Sequence, residues 1–168
     1  YFFEQSKLKT KSIKIEKKNR FLIISQQNIS SELRKITKDL AKKLENYHFI
    51  FKPHPKEKLD KSNLFDGLEK INNITISEKP LYELYPEVDY QIGVFSTAIY
   101  EGLGYGIKTF IYKINGWKNV YSLNQNQGVK FIKDYQELIE IINKNLIKKP
   151  DQESYFSSNV LENHKKFF

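Results

Sequence analysis

Short apolar runs alternate with amphipathic segments along most of the chain. The runs are largely uninterrupted, as in Phe21-Leu22-Ile23-Ile24, rather than alternating between apolar and polar residues. Strands that are apolar on both faces occur in parallel sheets covered by helices on both sides. The pattern therefore predicts an α/β domain with a doubly wound, Rossmann-like parallel sheet of about six strands. We place these strands at 21–25, 47–52, 73–77, 89–96, 108–114 and 128–132.

The segments between the strands contain the predicted helices. Apolar residues recur at helical spacing over 30–46, and Ser30 or Ser31 is predicted to cap that helix. A second clear amphipathic helix is predicted to begin after Asp134, which caps it. Weaker segments are expected at 60–71 (helix or loop), 80–88 (short helix), 97–106 (helix ending in glycines) and 112–128 (loop).

The ends of the chain differ in composition from its middle. Residues 1–19 are basic and irregular, and we expect a linker or the end of a preceding domain there. Residues 20–150 are predicted to form the α/β domain, and residues 151–168 a C-terminal helical tail. The chain does not begin with methionine and contains none, so we expect it to be part of a longer protein.

The numbers of cysteine and arginine residues limit the kinds of site and partner that the chain can have. The 168 residues include no cysteine, which excludes disulfides, thiolate zinc sites and cysteine nucleophiles. The formal net charge is +8, but arginine occurs only at Arg20 and Arg34. Because arginine is favoured for bidentate contacts to nucleic acids, we interpret the charge as a compositional bias and expect no nucleic-acid partner. A weak attraction to anionic membrane surfaces stays open.

The sequence shows no membrane span and no secretion signal. No apolar run approaches the roughly 18 residues that a spanning helix needs, and no signal-peptide pattern opens the chain. We expect a cytoplasmic location, with peripheral contact at the inner face of the cell membrane as an option. The two glycosylation sequons, at 28–30 and 73–75, are then expected to be unused.

The first stretch with candidate chemistry is Lys52-Pro53-His54-Pro55, directly after the second predicted strand. Prolines on both sides exclude helix and hold His54 on a stiff bend. The imidazole, with Lys52 and Lys56 beside it, is suited to bind a phosphate or to stabilise its departure. The alternative is a histidine that only hydrogen-bonds to nearby backbone.

The second stretch follows the fourth predicted strand. Ser96 and Thr97 lead directly into a helix start, where hydroxyls and N–H groups can hold a phosphate. Glu101, about one turn further, could bind a sugar or ribose hydroxyl. The alternatives are an ordinary helix cap and an exposed acid. The glycines at 102, 104 and 106 follow this helix instead of opening it, which excludes a dinucleotide fingerprint.

These two stretches are expected to face one crevice. Ligands of doubly wound sheets bind at the carboxyl ends of the strands, near the reversal of strand order, and His54 and Ser96 both follow strands. Trp117 and Tyr121, after the fifth strand, are expected at the pocket mouth, where their rings could stack on a base or sugar. Packing against the core is the alternative. His48 is interpreted as structural and His164 as solvated.

Together the two stretches resemble the C-terminal, donor-binding domain of GT-B glycosyltransferases, one half of that fold. The resemblance rests on Lys52-Pro53-His54-Pro55, on Asp89 before the fourth strand, and on Ser96-Thr97-x-x-x-Glu101. It covers about residues 20–148. It is nearest to bacterial capsule polysaccharide synthesis transferases of the cell envelope and to the CDP-glycerol glycerophosphotransferases of teichoic acid synthesis.

The resemblance implies a function for each candidate residue. Lys52, His54, Ser96 and Thr97 would bind the phosphates of a CMP-, CDP- or UDP-linked sugar, and Glu101 would hold its ribose or sugar. His54 would be catalytic, by stabilising the departing phosphate. A missing N-terminal domain would bring the glycan acceptor, so this half is expected to be inactive alone. Since no Asp-x-Asp motif occurs, no metal and no cofactor are expected.

Other functions stay open. Val94-Phe95-Ser96-Thr97 stands where glycerophosphotransferases have an aspartate-tyrosine-serine-serine run, and Glu101 favours the glycosyltransferases. A CDP-glycerol-type glycerophosphotransferase is nevertheless one alternative. A non-catalytic nucleotide- or glycan-binding module is another, and an epimerase of UDP-sugars with the same overall fold is a third.

Overall fold

The sheet predicted from the sequence is present in the computed structural model, which describes residues 19–57 and 65–150. All six strands are parallel, in the order β3-β2-β1-β4-β5-β6, so the order reverses between β1 and β4. The predicted α/β class and number of strands are confirmed. The strands are β1 (Arg20–Ile24), β2 (His48–Lys52), β3 (Ile74–Ile76), β4 (Tyr90–Gly93), β5 (Lys108–Tyr112) and β6 (Val129–Ile132).

Helices cover both faces of the sheet. The α-helices are α1 (Ser30–Lys43), α2 (Leu81–Leu84), α3 (Ala98–Gly104) and α4 (Tyr135–Asn143). The 3-10 helices are Gln27–Ile29, Leu68–Lys70, Tyr85–Glu87 and Trp117–Gln125. One face packs against α1 and α4, and the other against α2, α3 and the segment Trp117–Gln125. In β1, Phe21 and Ile23 point to the first face and Leu22 and Ile24 to the second, as the period of two in a strand requires.

Two predictions about local structure are wrong. Neither Ser30 nor Ser31 caps α1, whose N-cap position is Ile29. The buried Ser30 hydroxyl instead contacts a carboxylate 27 residues further along the chain, so a tertiary contact replaces the local cap. The expected loop at 112–128 contains the 3-10 helix Trp117–Gln125, in which Val120 and Leu123 are buried three residues apart. The cap by Asp134 is confirmed.

Several predictions fall on residues that the structure does not describe. They concern the linker at 1–19, apart from Asn19, the helical tail at 151–168, which includes His164, and the first part of the segment 60–71. The described part of that segment is a turn followed by the 3-10 helix Leu68–Lys70. Within residues 19–57 and 65–150, no helix is long and apolar enough to cross a membrane.

Asn73 fixes the edge strand β3 to the turn between α1 and β2. Its side-chain Nδ2 donates hydrogen bonds to the carbonyl oxygens of Ala41 at 3.0 Å, Tyr47 at 3.1 Å and, more weakly, Leu44 at 3.4 Å. Its own carbonyl oxygen accepts from the N–H of Phe49 at 2.8 Å. One side-chain amide therefore holds the start of β3 beside β2.

Candidate functional site

The reversal of strand order between β1 and β4 creates the candidate site. After β1 the chain turns to the face covered by α1, and after β4 it turns to the face covered by α3, so the two loops diverge at the carboxyl edge of the sheet. We call the space between these two loops the crevice. Gln26 bridges the loops, because its side-chain Oε1 accepts a hydrogen bond from the N–H of Phe95 at 3.3 Å. Sequence reasoning missed Gln26, because only the strand order shows which loop ends are neighbours.

His54 occupies the bend after β2, and the backbone fixes its ring. Nδ1 accepts a hydrogen bond from the N–H of Lys56 at 3.1 Å, and the N–H of Glu57 donates to the His54 carbonyl at 2.8 Å. A ring nitrogen that accepts carries no proton, so the neutral ring carries its proton on Nε2. The backbone contact foreseen as an alternative is present at Nδ1. The Nε2–H group has no hydrogen-bond partner within the described ranges.

Glu57 anchors this bend and was also missed by sequence reasoning. Its carboxylate accepts hydrogen bonds from the hydroxyls of Ser25 at 2.6 Å and Ser30 at 3.2 Å. Ser30 in turn accepts from the guanidinium of Arg34 at 2.8 Å. The sequence gives only a weak signal for this role. Glu57 follows the two-proline bend directly, but its serine partners lie 27 and 32 residues earlier, at the start of a helix and at the end of a strand.

Lys52 extends away from the crevice. Its Nζ donates to the carbonyl oxygen of Glu78, in the loop after β3, at 3.0 Å. Because β2 lies between β3 and β1, this contact places the ammonium on the side of β2 that is remote from β4. Partial burial lowers the pKa of Lys52, and the nearby Glu78 carboxylate opposes that shift.

Ser96 and Thr97 form the turn that leads into α3. The hydroxyl oxygen of Ser96 accepts from the N–H of Ala98 at 3.3 Å, so the cap interpretation describes part of its role. Thr97 is exposed and stands at the N-cap without a capping hydrogen bond from its side chain. Since α3 has only seven residues, its dipole is small, and any binding here depends on hydroxyls and N–H groups of the turn.

Glu101 is held by a buried tyrosine. The hydroxyl of Tyr85 donates to the carbonyl oxygen of Ala98 at 2.8 Å and lies 3.3 Å from Oε2 of Glu101. Burial raises the pKa of Tyr85, and the neighbouring Glu101 carboxylate raises it further, so the phenol stays protonated. The Glu101 side chain is exposed, but its carboxylate is oriented by this contact with the buried Tyr85 hydroxyl.

Trp117 and Tyr121 pack near the sheet edge formed by β6. Their ring centroids lie 5.7 Å and 6.1 Å from that of Phe131, and 5.9 Å from each other. The packing alternative therefore describes Trp117, whereas Tyr121 is 57% exposed. The start of this loop lies against the loop after β4, because a Cβ at Gly116 would lie 2.4 Å from the Phe95 ring.

The structure brings the candidate residues to one edge, though not into one contact. His54 and Ser96 follow β2 and β4, which flank β1, so about two strand spacings, or roughly 10 Å, separate their strands. Asp89 lies at the opposite edge, where its N–H donates to the Arg20 carbonyl at 3.1 Å. Within the described ranges, no group of three or more metal-ligating side chains is assembled.

Comparison with curated proteins gives one relative of undefined activity. No family model matches the chain. An uncharacterized protein of Methanocaldococcus jannaschii is 37% identical over 102 residues. The match covers 60% of this chain and 18% of that protein, so the chain spans less than a fifth of the relative's length.

Comparison with solved structures shows a shared fold. The UDP-GlcNAc 2-epimerase of Methanocaldococcus jannaschii superposes with a TM-score of 0.68 at 16% identity, over 98% of this chain and 49% of the epimerase. The C-terminal CMP-Kdo binding domain of WaaA from Acinetobacter baumannii superposes with a TM-score of 0.57 at 16% identity, over 86% of this chain and 89% of that domain. The wall teichoic acid polymerase TagF, soaked with CDPG, superposes with a TM-score of 0.57 at 16% identity, over 92% of this chain and 37% of the polymerase. The chain thus has the Rossmann-like fold of one half of a GT-B protein, and spans about half of the epimerase.

Proposed function

We propose that this chain binds a nucleotide-activated sugar, as the donor-binding domain of a GT-B glycosyltransferase that builds a bacterial surface polysaccharide. The observation that carries the proposal is the crevice between β1 and β4, which has the His54 bend on one side and the Ser96-Thr97 turn on the other. Proteins of similar fold support it: an epimerase bound to UDP-GlcNAc, a CMP-Kdo binding domain and a teichoic acid polymerase soaked with CDPG.

In this proposal His54 acts as a hydrogen-bond donor to phosphate. When the bond between the sugar carbon and the phosphate oxygen breaks, negative charge accumulates on the departing phosphate. The Nε2–H of His54 and the hydroxyls of Ser96 and Thr97 would stabilise that charge. Lys52, tied to the Glu78 carbonyl, would contribute through its field rather than by contact.

The remaining parts of the reaction are assigned by the same reasoning. Glu101, oriented by Tyr85, would accept a hydrogen bond from a ribose or sugar hydroxyl. The acceptor glycan and the base that activates it would come from a second domain, so the chain alone would bind the donor without turnover. Its net charge of +8 would favour weak contact with anionic lipid at the inner membrane face.

Two other functions are supported by particular observations. Epimerisation of a UDP-sugar is favoured by the superposition on the archaeal epimerase, which covers nearly this whole chain. Transfer of a phosphoglycerol unit is favoured by the likeness to the teichoic acid polymerase. The nucleotide that binds would distinguish these two alternatives from each other, because epimerisation of a UDP-sugar requires UDP and phosphoglycerol transfer requires CDP.

Isothermal calorimetry of the whole chain with CMP, CDP, UDP and GDP tests the proposal. We expect one nucleotide to bind selectively, and His54→Ala and Ser96→Ala each to weaken it by about tenfold or more, as for a lost hydrogen bond to a charged group. His48→Gln, which changes a histidine outside the crevice, is the matched control and should leave the affinity unchanged. Absence of binding by the wild-type chain would contradict the proposal.

A further inference from the structure

Glu57 joins the bend that carries His54 to two other segments of the fold. Its Oε1 accepts a hydrogen bond from the hydroxyl of Ser25 at 2.6 Å, and its Oε2 accepts one from Ser30 at 3.2 Å. Ser25 directly follows β1, and Ser30 is the first residue of α1. One carboxylate therefore ties the bend to the end of a central strand and to the start of a helix.

The two serines are rigid anchors. Ser25 is 2% exposed, and its N–H donates to the Lys52 carbonyl at 3.0 Å, which extends the pairing of β1 with β2 by one bond. Ser30 is 6% exposed and also accepts from the Arg34 guanidinium at 2.8 Å. Hydrogen bonds that involve a charged partner are stronger than those between neutral groups, so the network holds Glu57 firmly.

Glu57 and its neighbour Lys56 both donate backbone hydrogen bonds to His54. The N–H of Glu57 donates to the His54 carbonyl at 2.8 Å and closes the turn. The N–H of Lys56, inside that turn, donates to Nδ1 of His54 at 3.1 Å. A displaced bend would remove the Lys56 contact, and either ring nitrogen could then carry the proton.

We infer that Glu57 is a positioning residue, whose carboxylate fixes the bend so that His54 presents an N–H donor at Nε2. The consequence for ligand binding rests on the proposed function, because an anionic phosphate oxygen needs a donor at that atom. In the other tautomer Nε2 has a lone pair, which repels a phosphate oxygen. Glu57 itself would contact neither the ligand nor the reacting atoms.

Nitrogen NMR of the histidine rings tests this inference without any ligand. The spectrum would be recorded at a pH well above the ordinary titration range of histidine, and the His54 signals assigned with His54→Ala. The wild-type ring is expected as the tautomer with its proton on Nε2. Glu57→Ala is expected to give a mixture of tautomers, and Glu57→Gln an intermediate result, since an amide oxygen still accepts from one serine. Glu45→Gln, an exposed position, is the matched control.

Calorimetry with CMP, CDP and UDP on the same variants then separates the two proposals. Glu57→Ala is expected to weaken nucleotide binding on the order of fivefold or more, and Ser25→Ala by less. A wild-type His54 spectrum in folded Glu57→Ala overturns the inference, whatever the affinity. A changed spectrum in a chain whose wild type binds no nucleotide supports the inference and overturns the proposed function alone. Should Glu57→Ala fail to fold, the spectra of Ser25→Ala and Glu57→Gln decide by the same criterion.

Discussion

The side-chain oxygen of Gln26 accepts a hydrogen bond from the backbone N–H of Phe95 at 3.3 Å, 69 residues further along the chain. This contact joins the loops after β1 and β4 across the reversal of strand order. It also occupies an N–H at the position where doubly wound sheets bind their ligands. The Gln26 side chain thus bridges the two loops that border the crevice.

Replacing Gln26 should loosen the loop after β4. We expect Gln26→Ala to raise the hydrogen-exchange rate of the Phe95 amide by roughly two- to tenfold, the effect of one modest hydrogen bond. Amide exchange followed by NMR measures this rate directly. Gln27→Ala, at the exposed neighbouring position, should leave it unchanged. An equal rate in wild type and Gln26→Ala would show that the contact contributes nothing.

Gly102 allows α3 to lie directly on β4. A Cβ at this position would lie 2.1 Å from Oε1 of Gln91. The Gln91 side chain is fully buried, and its Nε2 donates to the Ile99 carbonyl at 2.8 Å and to Thr109 Oγ1 at 2.9 Å, so it has little room to move away. We expect Gly102→Ala to lower the free energy of unfolding by roughly 1–3 kcal/mol, as overpacking does. This sign is opposite to the usual gain of about 1 kcal/mol when a helix glycine becomes alanine.

Urea unfolding checks this prediction, and a second background tests its cause. The cost of Gly102→Ala should become smaller in a Gln91→Ala chain, because the overlapping atom is then absent. The same cost in both backgrounds would assign the effect to something other than Gln91.

Two tyrosines of the same region should respond differently to loss of their hydroxyls. Tyr85→Phe removes a buried hydroxyl that donates to the Ala98 carbonyl and lies 3.3 Å from Glu101 Oε2, and should lower the free energy of unfolding by about 1 kcal/mol. Tyr82, which is 50% exposed, provides the matched control, and Tyr82→Phe should have no measurable effect. Chemical denaturation compares them, and equal stabilities would contradict the assigned role of the Tyr85 hydroxyl.

His48 should make stability depend on pH. Partial burial lowers its pKa, and the positive charge of Arg20 lowers it further. The unfolded chain therefore binds a proton more readily than the folded chain, so stability rises with pH across the interval between the folded and unfolded pKa values. The His48 contribution is present above the ordinary histidine pKa of about 6.5 and is lost as pH falls towards the lower folded value.

Urea unfolding of wild type and His48→Gln at about pH 7.5 and about pH 5.5 isolates this contribution from that of the carboxylates. When the pH is lowered from about 7.5 to about 5.5, the free energy of unfolding should fall more in the wild type than in His48→Gln. An identical loss in both proteins would mean that His48 titrates alike in the folded and unfolded chains.

The sheet could be predicted because it depends on local sequence. Apolar runs that are buried on both faces, separated by helical segments, admit few architectures other than a parallel sheet with two helical layers. The positions of His54 and Ser96 at one edge follow from the same reasoning, since each comes directly after a strand. The cap by Asp134 is equally local, involving an N–H three residues away.

The parts that could not be predicted depend on distant partners. Ser30 has the ideal residue type for a helix cap, yet its hydroxyl contacts Glu57, and the tertiary contact prevails over the local preference. Gln26 becomes part of the crevice only because β4 is inserted beside β1. Lys52, adjacent to His54 in sequence, reaches the opposite side of β2, because its neighbour in space is the loop after β3.

The hydrogen bonds of Asn73 bear on how the protein should be produced. This residue opens the sequon Asn73-Ile74-Thr75, which a eukaryotic secretory pathway recognises in exposed chains. A glycan would be attached to Nδ2, the atom that donates to Ala41 and Tyr47. A glycosylated Nδ2 keeps a single hydrogen and carries a bulky sugar, so modification before folding would break at least one of these contacts, and expression in a bacterial cytosol avoids this damage.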